Sequence, residues 1–303
     1  MKTLFEYVIF PGFLFSAFAG LTAGWLDRKV SARIQWRKGP PWHQNFTDIV
    51  KLFYKETIFP EGARATFLIA PYAGLLAAIL VATILGNSVI LPSKTFIGDL
   101  IVVLYLLLVP AIALIIGASS SANPFASVGA SREMKLVLGY ELPFILAVVT
   151  AIIKSGGAIK LGSIITYQMA NGPVISSYSG MLAFIAAILC MQAKLCLVPF
   201  DMSDAEQELM GGALIEYSGP MLAVFKLTRA VLLYALPLFL IMLFWAKDLS
   251  PLALMGKYIA LLAIIILIKN TNPRLRIDQA LRFFWGPVAA VAFLALVLAI
   301  LGK

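Results

Sequence analysis

Residues 67–91 read FLIAPYAGLLAAILVATILGNSVIL, from Phe67 to Leu91, and carry no acidic or basic side chain. A helix needs about 20 mostly apolar residues to cross a hydrocarbon core of roughly 30 Å. This stretch therefore reads as a membrane span. Seven more runs have the same character: Phe5–Leu26, Gly98–Ser119, Lys135–Ile153, Tyr178–Pro199, Tyr217–Ala246, Pro251–Ile268 and Phe284–Leu301. None alternates apolar and polar residues as barrel strands do. The expected fold is all-α, a single integral membrane domain over residues 1–303 with about eight spans. The sixth run, Tyr217–Ala246, is longer than an upright helix requires and contains Pro237, so tilt or a kink is expected there. The first run has Lys2, an apolar stretch and an Ala17-Phe18-Ala19 sequence that mimics a cleavage site. At about 22 residues it is long for a signal peptide and is read as a retained first span.

Composition agrees. Of 303 residues, 61% are apolar and 13% charged, and the mean hydropathy is +0.94. A soluble domain has roughly half its residues apolar and about a quarter charged. That argues against a disordered chain, a disulfide scaffold or an ordinary soluble enzyme. The net charge is +9, from 24 Lys and Arg against 15 Asp and Glu. So apolar a chain has little polar surface for nucleic acid.

Where the bases fall sets the orientation. The connections after spans one, three, five and seven hold 14 of them: Arg28, Lys29, Arg33, Arg37, Lys38, Lys51, Lys55, Arg64, Arg132, Lys135, Lys269, Arg274, Arg276 and Arg282. The other side holds 7, and Lys194, Lys226 and Arg229 fall within spans. Odd-numbered connections are therefore expected in the cytoplasm and both termini outside, in the cytoplasmic membrane. The connection after span five alone has no base.

That connection holds the first candidate site. It runs Pro199-Phe200-Asp201-Met202-Ser203-Asp204-Ala205-Glu206-Gln207-Glu208 and on to Glu216-Tyr217, and residues 200–216 hold five of the 15 carboxylates. As a helix it would set Asp201, Asp204 and Glu208 on one face, with Glu206 elsewhere. Carboxylates packed together repel, which raises pKa values and favours proton exchange near neutral pH. The plain alternative is a solvated acidic loop. The second candidate is Glu141, in Gly139-Tyr140-Glu141-Leu142-Pro143 inside span four. A carboxylate there needs a partner or a water-filled path, and Arg132 or Lys135 is the simple partner. The third is Lys194 with Lys226 and Arg229, the latter two neighbours on one helix face. They read either as a basic relay beside the carboxylates or as snorkelling and structural pairs.

The long segment 27–66 carries an amphipathic stretch in which Phe46, Ile49, Val50 and Phe53 form an apolar stripe with Leu52 alongside. It suits an anionic lipid surface or a dock for a soluble subunit. Cys190 and Cys196 point to different faces of one expected helix, and His43 is the single histidine. The usual ligands for an iron–sulfur centre or haem are lacking. In a redox system the electrons would then travel in another subunit.

Four motifs carry a family resemblance along most of the chain. They are Asp27-Arg28-Lys29 with Gln35-Trp36-Arg37-Lys38-Gly39-Pro40 and Asp48…Lys51-Leu52-Phe53…Lys55-Glu56; Asn123-Pro124-Phe125 with Gly129-Ala130-Ser131-Arg132-Glu133; Pro199-Phe200-Asp201 through Glu216-Tyr217-Ser218-Gly219; and Asn272-Pro273-Arg274-Leu275-Arg276-Ile277-Asp278-Gln279. The chain resembles the complex I subunit 1 family, the H-type membrane subunits of NADH–quinone oxidoreductases. Within it, Gly-Ala-Ser-Arg-Glu and Ala-Glu-Gln-Glu-Leu are similar to the branch in energy-converting NiFe hydrogenases and formate hydrogenlyases.

The resemblance implies a subunit that joins a peripheral redox arm to an ion-translocating membrane arm, with ferredoxin as the indirect donor. It implies a path through Glu141, Asp201, Asp204, Glu206, Glu208 and Glu216, beside Lys194, Lys226 and Arg229. It implies a docking face of Asp27, Arg28, Lys29, Arg33, Arg37, Asp48, Lys51, Arg132, Glu133, Arg274, Arg276 and Asp278. No cofactor is expected in this chain; iron–sulfur clusters and a NiFe or related centre would belong to hydrogenase-like large and small subunits, and antiporter-like subunits would complete the membrane arm. Quinone enzymes of the family usually have Gly-Pro-Asn where this chain has Gly39-Pro40-Pro41, so quinone binding is not expected. The same subunit in a sulfur-reducing, formate-linked or quinone-reducing complex is the alternative. A standalone transporter would show an internal repeat with matching broken spans, and no such repeat is visible.

Overall fold

The computed structural model describes residues 2–204, 208 and 210–302, without the side chains of residues 2–4 and Lys94. Within them the chain is helical and without strands. The helices are α1 (Lys2–Val8), α2 (Phe13–Ile34), α3 (Gln44–Phe53), α4 (Ala65–Ile90), α5 (Asp99–Ser119), α6 (Pro124–Lys154), α7 (Leu161–Asn171) and α8 (Tyr178–Lys194). There follow α9 (Gly219–Phe244), α10 (Pro251–Thr271), α11 (Ile277–Phe283) and, after a π-helical turn over Phe284–Val288, α12 (Ala289–Ile300). Seven helical stretches are long and apolar enough to cross a membrane, and the 17-residue apolar α8 lies beside them.

The ends follow local chemistry. Asn123 caps α6 by accepting from the Phe125 N–H at 2.8 Å, with Pro124 in the first helical position. Ser177 caps α8 through the Gly180 N–H at 3.1 Å. Pro71, Pro110, Pro143 and Pro237 lie inside helices. Neighbouring helices make this tolerable in a membrane bundle.

The hub is α9. Its most apolar window is 83% buried, against 22% for α10 at the periphery. It packs on α2, α3, α4 and α8. At the α2 crossing a Cβ on Gly20 would sit 1.9 Å from the Ala230 carbonyl oxygen, so only glycine allows this approach. The helix covers 219–244, shorter than the expected run, because Tyr217-Ser218 and Trp245-Ala246 leave it at its ends.

The longest helix is α6, with 31 residues. Hydropathy placed its start at Lys135, but helical hydrogen bonding continues back to Pro124 through Arg132 and Glu133. The buried stripe Ala126, Gly129, Ala130, Glu133, Leu136, Tyr140 and Phe144 has the 3–4 spacing of one helix face. The first expected span is split, with residues 9–12 linking α1 to α2 and Pro11 packed on Gly86 of α4. The fifth ends at Lys194, and the chain turns at Cys196, whose φ is +49°. The last begins at Ile277, earlier than Phe284.

The amphipathic α3 forms as expected. Leu52 turns inward while Val50 and Phe53 stay exposed. Asn45 donates to the Leu21 carbonyl at 3.0 Å and holds α3 to α2.

One polar lock was not foreseen. Gln168 of α7 is fully buried at the end of α9. Its Nε2 donates to the Met242 and Leu243 carbonyls at 2.9 and 3.0 Å, two acceptors that the helix end leaves free. Its Oε1 accepts from the Ala246 N–H at 2.9 Å. Gln168→Leu keeps the volume and strands these groups, each at about 1–3 kcal/mol. A clear fall in the thermal midpoint in detergent is expected; an unchanged midpoint would show that the lock is dispensable.

Candidate functional site

The segment after α8 folds back over the ends of α6, α9 and α11, and its acids separate. The Met202–Asp204 stretch is a single 3-10 turn. Asp201 pairs with Arg274 at 2.7 Å, Asp204 with Arg229, and Glu208 with Arg132 at 2.6 Å. The expectation that Asp201, Asp204 and Glu208 share a helix face is therefore corrected. Three arginines from three elements draw them apart, since an ion near apolar helix ends is stabilised more by a counter-charge than by a neighbouring carboxylate. Glu206 lies outside the described residues. Glu216 accepts from the Asn123 side-chain amide, which ties the segment to the α6 cap.

Deeper in the bundle, Glu141 and Lys194 meet. Lys194 Nζ lies 2.6 Å from Glu141 Oε2, with the lysine side chain 3% exposed and the glutamate 21%. The ammonium also sits 4.9 Å from the Tyr140 ring centroid and 4.8 Å from that of Phe144. Two ring faces and one carboxylate replace its hydration. Neither Arg132 nor Lys135 is the partner of Glu141.

Glu133 lies between these groups. It was expected on a docking face, yet it is 1% exposed. Its Oε1 accepts from Cys196 Sγ at 3.4 Å. Burial and then the nearby Glu133 push the Cys196 thiol upward, so it stays protonated and donates. Asp201 Oδ1, Asp204 Oδ1 and Arg229 Nη2 are buried without a protein partner, and the buried Ser203 hydroxyl lies against Glu133. Orphan polar atoms this close together are where buried water binds. A cavity of about 40 Å³ lined by Glu133, Tyr140, Lys194, Cys196 and Arg229 has room for about two waters. Arg229 of the Asp204–Arg229 pair and Lys194 of the Glu141–Lys194 pair both line it.

A second cavity, of about 330 Å³, shares Leu195, Cys196 and Arg229 with the first. Its other walls include Asp27, Arg28, Asn45, Asp48 and the exposed Lys226. Lys226 and Arg229 thus face a common space, but of the two only Arg229 pairs with a carboxylate among the described residues. Asp27, also expected on the docking face, is buried and pairs with Lys269 at 2.7 Å, holding α2 to α10. The remaining docking residues are placed outward. Arg33, Arg37, Lys51, Arg274, Arg276 and Asp278 are exposed, and Lys29 is half-buried. Arg28 and Asp48 pair at 3.4 Å, as do Arg276 and Asp278. A cleft of about 240 Å³ gathers Arg132, Glu208, Asp201, Arg274, Arg276 and Asp278 on this face.

Sequence reasoning missed the placement of Glu133, and with it Tyr140, Cys196 and Ser203. The signal was present: Glu133 and Tyr140 are seven residues apart, two turns along the apolar stripe of α6. Among the described residues no three potential metal ligands converge.

Asp201 yields a pH test. Its carboxyl is pushed up from the ordinary value by burial, against the opposing pull of Arg274. The folded chain therefore binds its proton more tightly than the unfolded chain. Stability falls as pH rises from the ordinary aspartate range through the raised value, and the penalty is constant above it. Asp201→Asn removes that penalty. The thermal midpoint of the variant should gain on that of the parent across this window, and parallel pH curves would contradict the assignment.

Comparison with known proteins agrees with this architecture. The NADH dehydrogenase family profile matches residues 6–300. Formate hydrogenlyase subunit 4 of Escherichia coli is 28% identical over 302 residues, covering 96% of this chain and 97% of that one. The H subunit of the NADH-quinone oxidoreductase of Anoxybacillus flavithermus is 29% identical, covering 94% and 90%. A subunit in the solved structure of the membrane-bound sulfane sulfur reductase, an archaeal respiratory membrane complex, superposes with a TM-score of 0.89 at 28% identity, covering 99% of this chain and 100% of the other. With its apolar helices and these relatives, the chain is a multi-pass membrane protein that belongs to the NADH dehydrogenase family of H-type membrane subunits.

Proposed function

We propose that this chain is the coupling subunit of an energy-converting hydrogenase-type complex, joining a peripheral redox arm to an ion-translocating membrane arm. The observation that carries the reading is the run of buried ionisable groups. It passes from the Asp201–Arg274 pair at the surface, through Asp204–Arg229 and Glu133, to Glu141–Lys194 within the bundle. Glu133 and Arg229, each with a buried polar atom, line one small cavity together with Lys194.

In this reading the exposed Arg28, Arg33, Arg37, Arg274 and Arg276 meet the redox subunits on the cytoplasmic side. Those partners would hold the iron–sulfur clusters and the NiFe or related centre, and ferredoxin would supply electrons to them. A charge change at the docked face loosens Arg274 from Asp201. Asp201 and Asp204 then compete for arginine, and Glu133 gains or loses a proton through the chamber. The Glu141–Lys194 pair responds by opening or closing, because a buried pair is stable only while both charges are present. Antiporter-like subunits would read that change and move H⁺ or Na⁺.

A second reading has a specific observation behind it. The superposition on a sulfane sulfur reductase subunit suits a sulfur-reducing complex equally well. This chain's chemistry would be the same in both. Isolating the complex through a tag on this chain separates them: hydrogen evolution from reduced ferredoxin supports the first, sulfide production the second.

Glu141→Gln tests the coupling role itself. Donor-driven turnover in detergent should stay largely intact, while ion uptake into sealed vesicles falls about tenfold or more. Undiminished pumping would sink the proposal.

A further inference from the structure

The largest cavity described has no part in the polar route. It encloses about 560 Å³ between α2, the end of α4, α9 and the start of α10. Phe15, Ala19 and Leu26 form its α2 wall, Leu254 and Tyr258 its α10 wall, and Tyr234 its floor. No charged residue, histidine or cysteine lines it. The Thr22 and Tyr258 hydroxyls are taken by the Ala19 and Leu233 carbonyls at 2.8 and 3.2 Å. An ion or polar ligand would find no counter-charge there.

Its shape selects among apolar occupants. Eleven residues separate Phe15 from Leu26, which makes the slot about 16 Å long. A single extended hydrocarbon chain fits. The slot opens beside α10, the most exposed span, where Met255 and Ile259 face outward. In a membrane-spanning chain, a slot beside so exposed a span is within reach of hydrocarbon tails, the abundant apolar species there.

The connection next to the slot supplies the headgroup chemistry. The α9–α10 connection contributes Leu249 to the cavity and carries Lys247 two residues earlier. Lys257 is committed to the Trp245 and Asp248 carbonyls, and the Asp248 carboxylate accepts from the Ser250 N–H at 2.9 Å. Lys247 is exposed and makes no ion pair among the described residues. We propose that this slot binds one hydrocarbon tail of an anionic membrane lipid, with the headgroup beside Lys247.

The test uses the complex isolated from native membranes through a tag on this chain. Lipids retained after detergent washing are counted by native mass spectrometry and identified after extraction. Ala19→Trp and Met255→Trp fill the slot from opposite walls, so one remains informative if the other fails to assemble. Leu14→Trp, on an exposed part of α2 outside the cavity, is the control. The parent and Leu14→Trp should keep a tightly held anionic lipid. The slot-filling variants should lose it about tenfold or more, since displacing two methylenes alone weakens binding about tenfold. Lys247→Gln should keep a lipid and admit neutral headgroups. Equal retention in both filled variants, equal loss in the control, or a partner helix cross-linked into the slot would overturn the proposal. An unchanged headgroup in Lys247→Gln would overturn the part given to Lys247.

Discussion

A charge inside an apolar bundle has no water to solvate it, and this constraint organises the molecule. An intramembrane carboxylate or ammonium persists only beside a counter-charge, a dipole or a ring face. The ion pairs drawn inward here meet that demand. Glu141 and Lys194 share a single contact roofed by Tyr140 and Phe144. Asp27 takes Lys269, and Asp204 takes Arg229. Because each pair joins two different elements, the same contacts that neutralise charge also set how α2, α6, α8, α9 and α10 lie together.

Two of the helices that bear these charges, α6 and α9, are the most buried of the membrane-length helices. The hub α9 carries Arg229 and is locked at its far end by Gln168. The long α6 carries Glu133 and Glu141 two turns apart, so one rigid rod spans from the arginine-paired loop to the deep pair. By contrast α10 is peripheral, and the apolar slot beside it lies apart from the polar chambers. The bundle thus separates a charged side from an apolar one, with α2 and α9 forming the wall between them.

Much of the fold was legible in residue order. Each of the eight apolar runs became a helical segment of the bundle, seven of them of membrane-crossing length, and the α3 stripe gave its amphipathic helix. The boundaries were less so. Hydropathy ends a span at the first charge, yet α6 continues through Arg132 and Glu133, because backbone hydrogen bonding is indifferent to side-chain charge once the side chain is paired or buried. For the site, the residue types were legible and the pairings were not. Asp201, Asp204 and Glu208 looked like one helical face and proved to be three separate ion pairs. Asp27 and Glu133 looked like surface charges in basic motifs and proved to be internal.

The sequence by itself determined that the chain is an apolar helical bundle, that it belongs to one family, and that its scarce acids cluster in one connection and inside span four. Those properties are local: periodicity, run length and motif spacing are written along the chain. Only the tertiary structure decided which base meets which acid, that Glu133 faces an internal cavity, and that an apolar slot lies between α2, α4, α9 and α10. Those properties depend on helices distant in sequence approaching within a few ångströms. Charge pairing there is settled by desolvation and packing, to which residue order alone is blind.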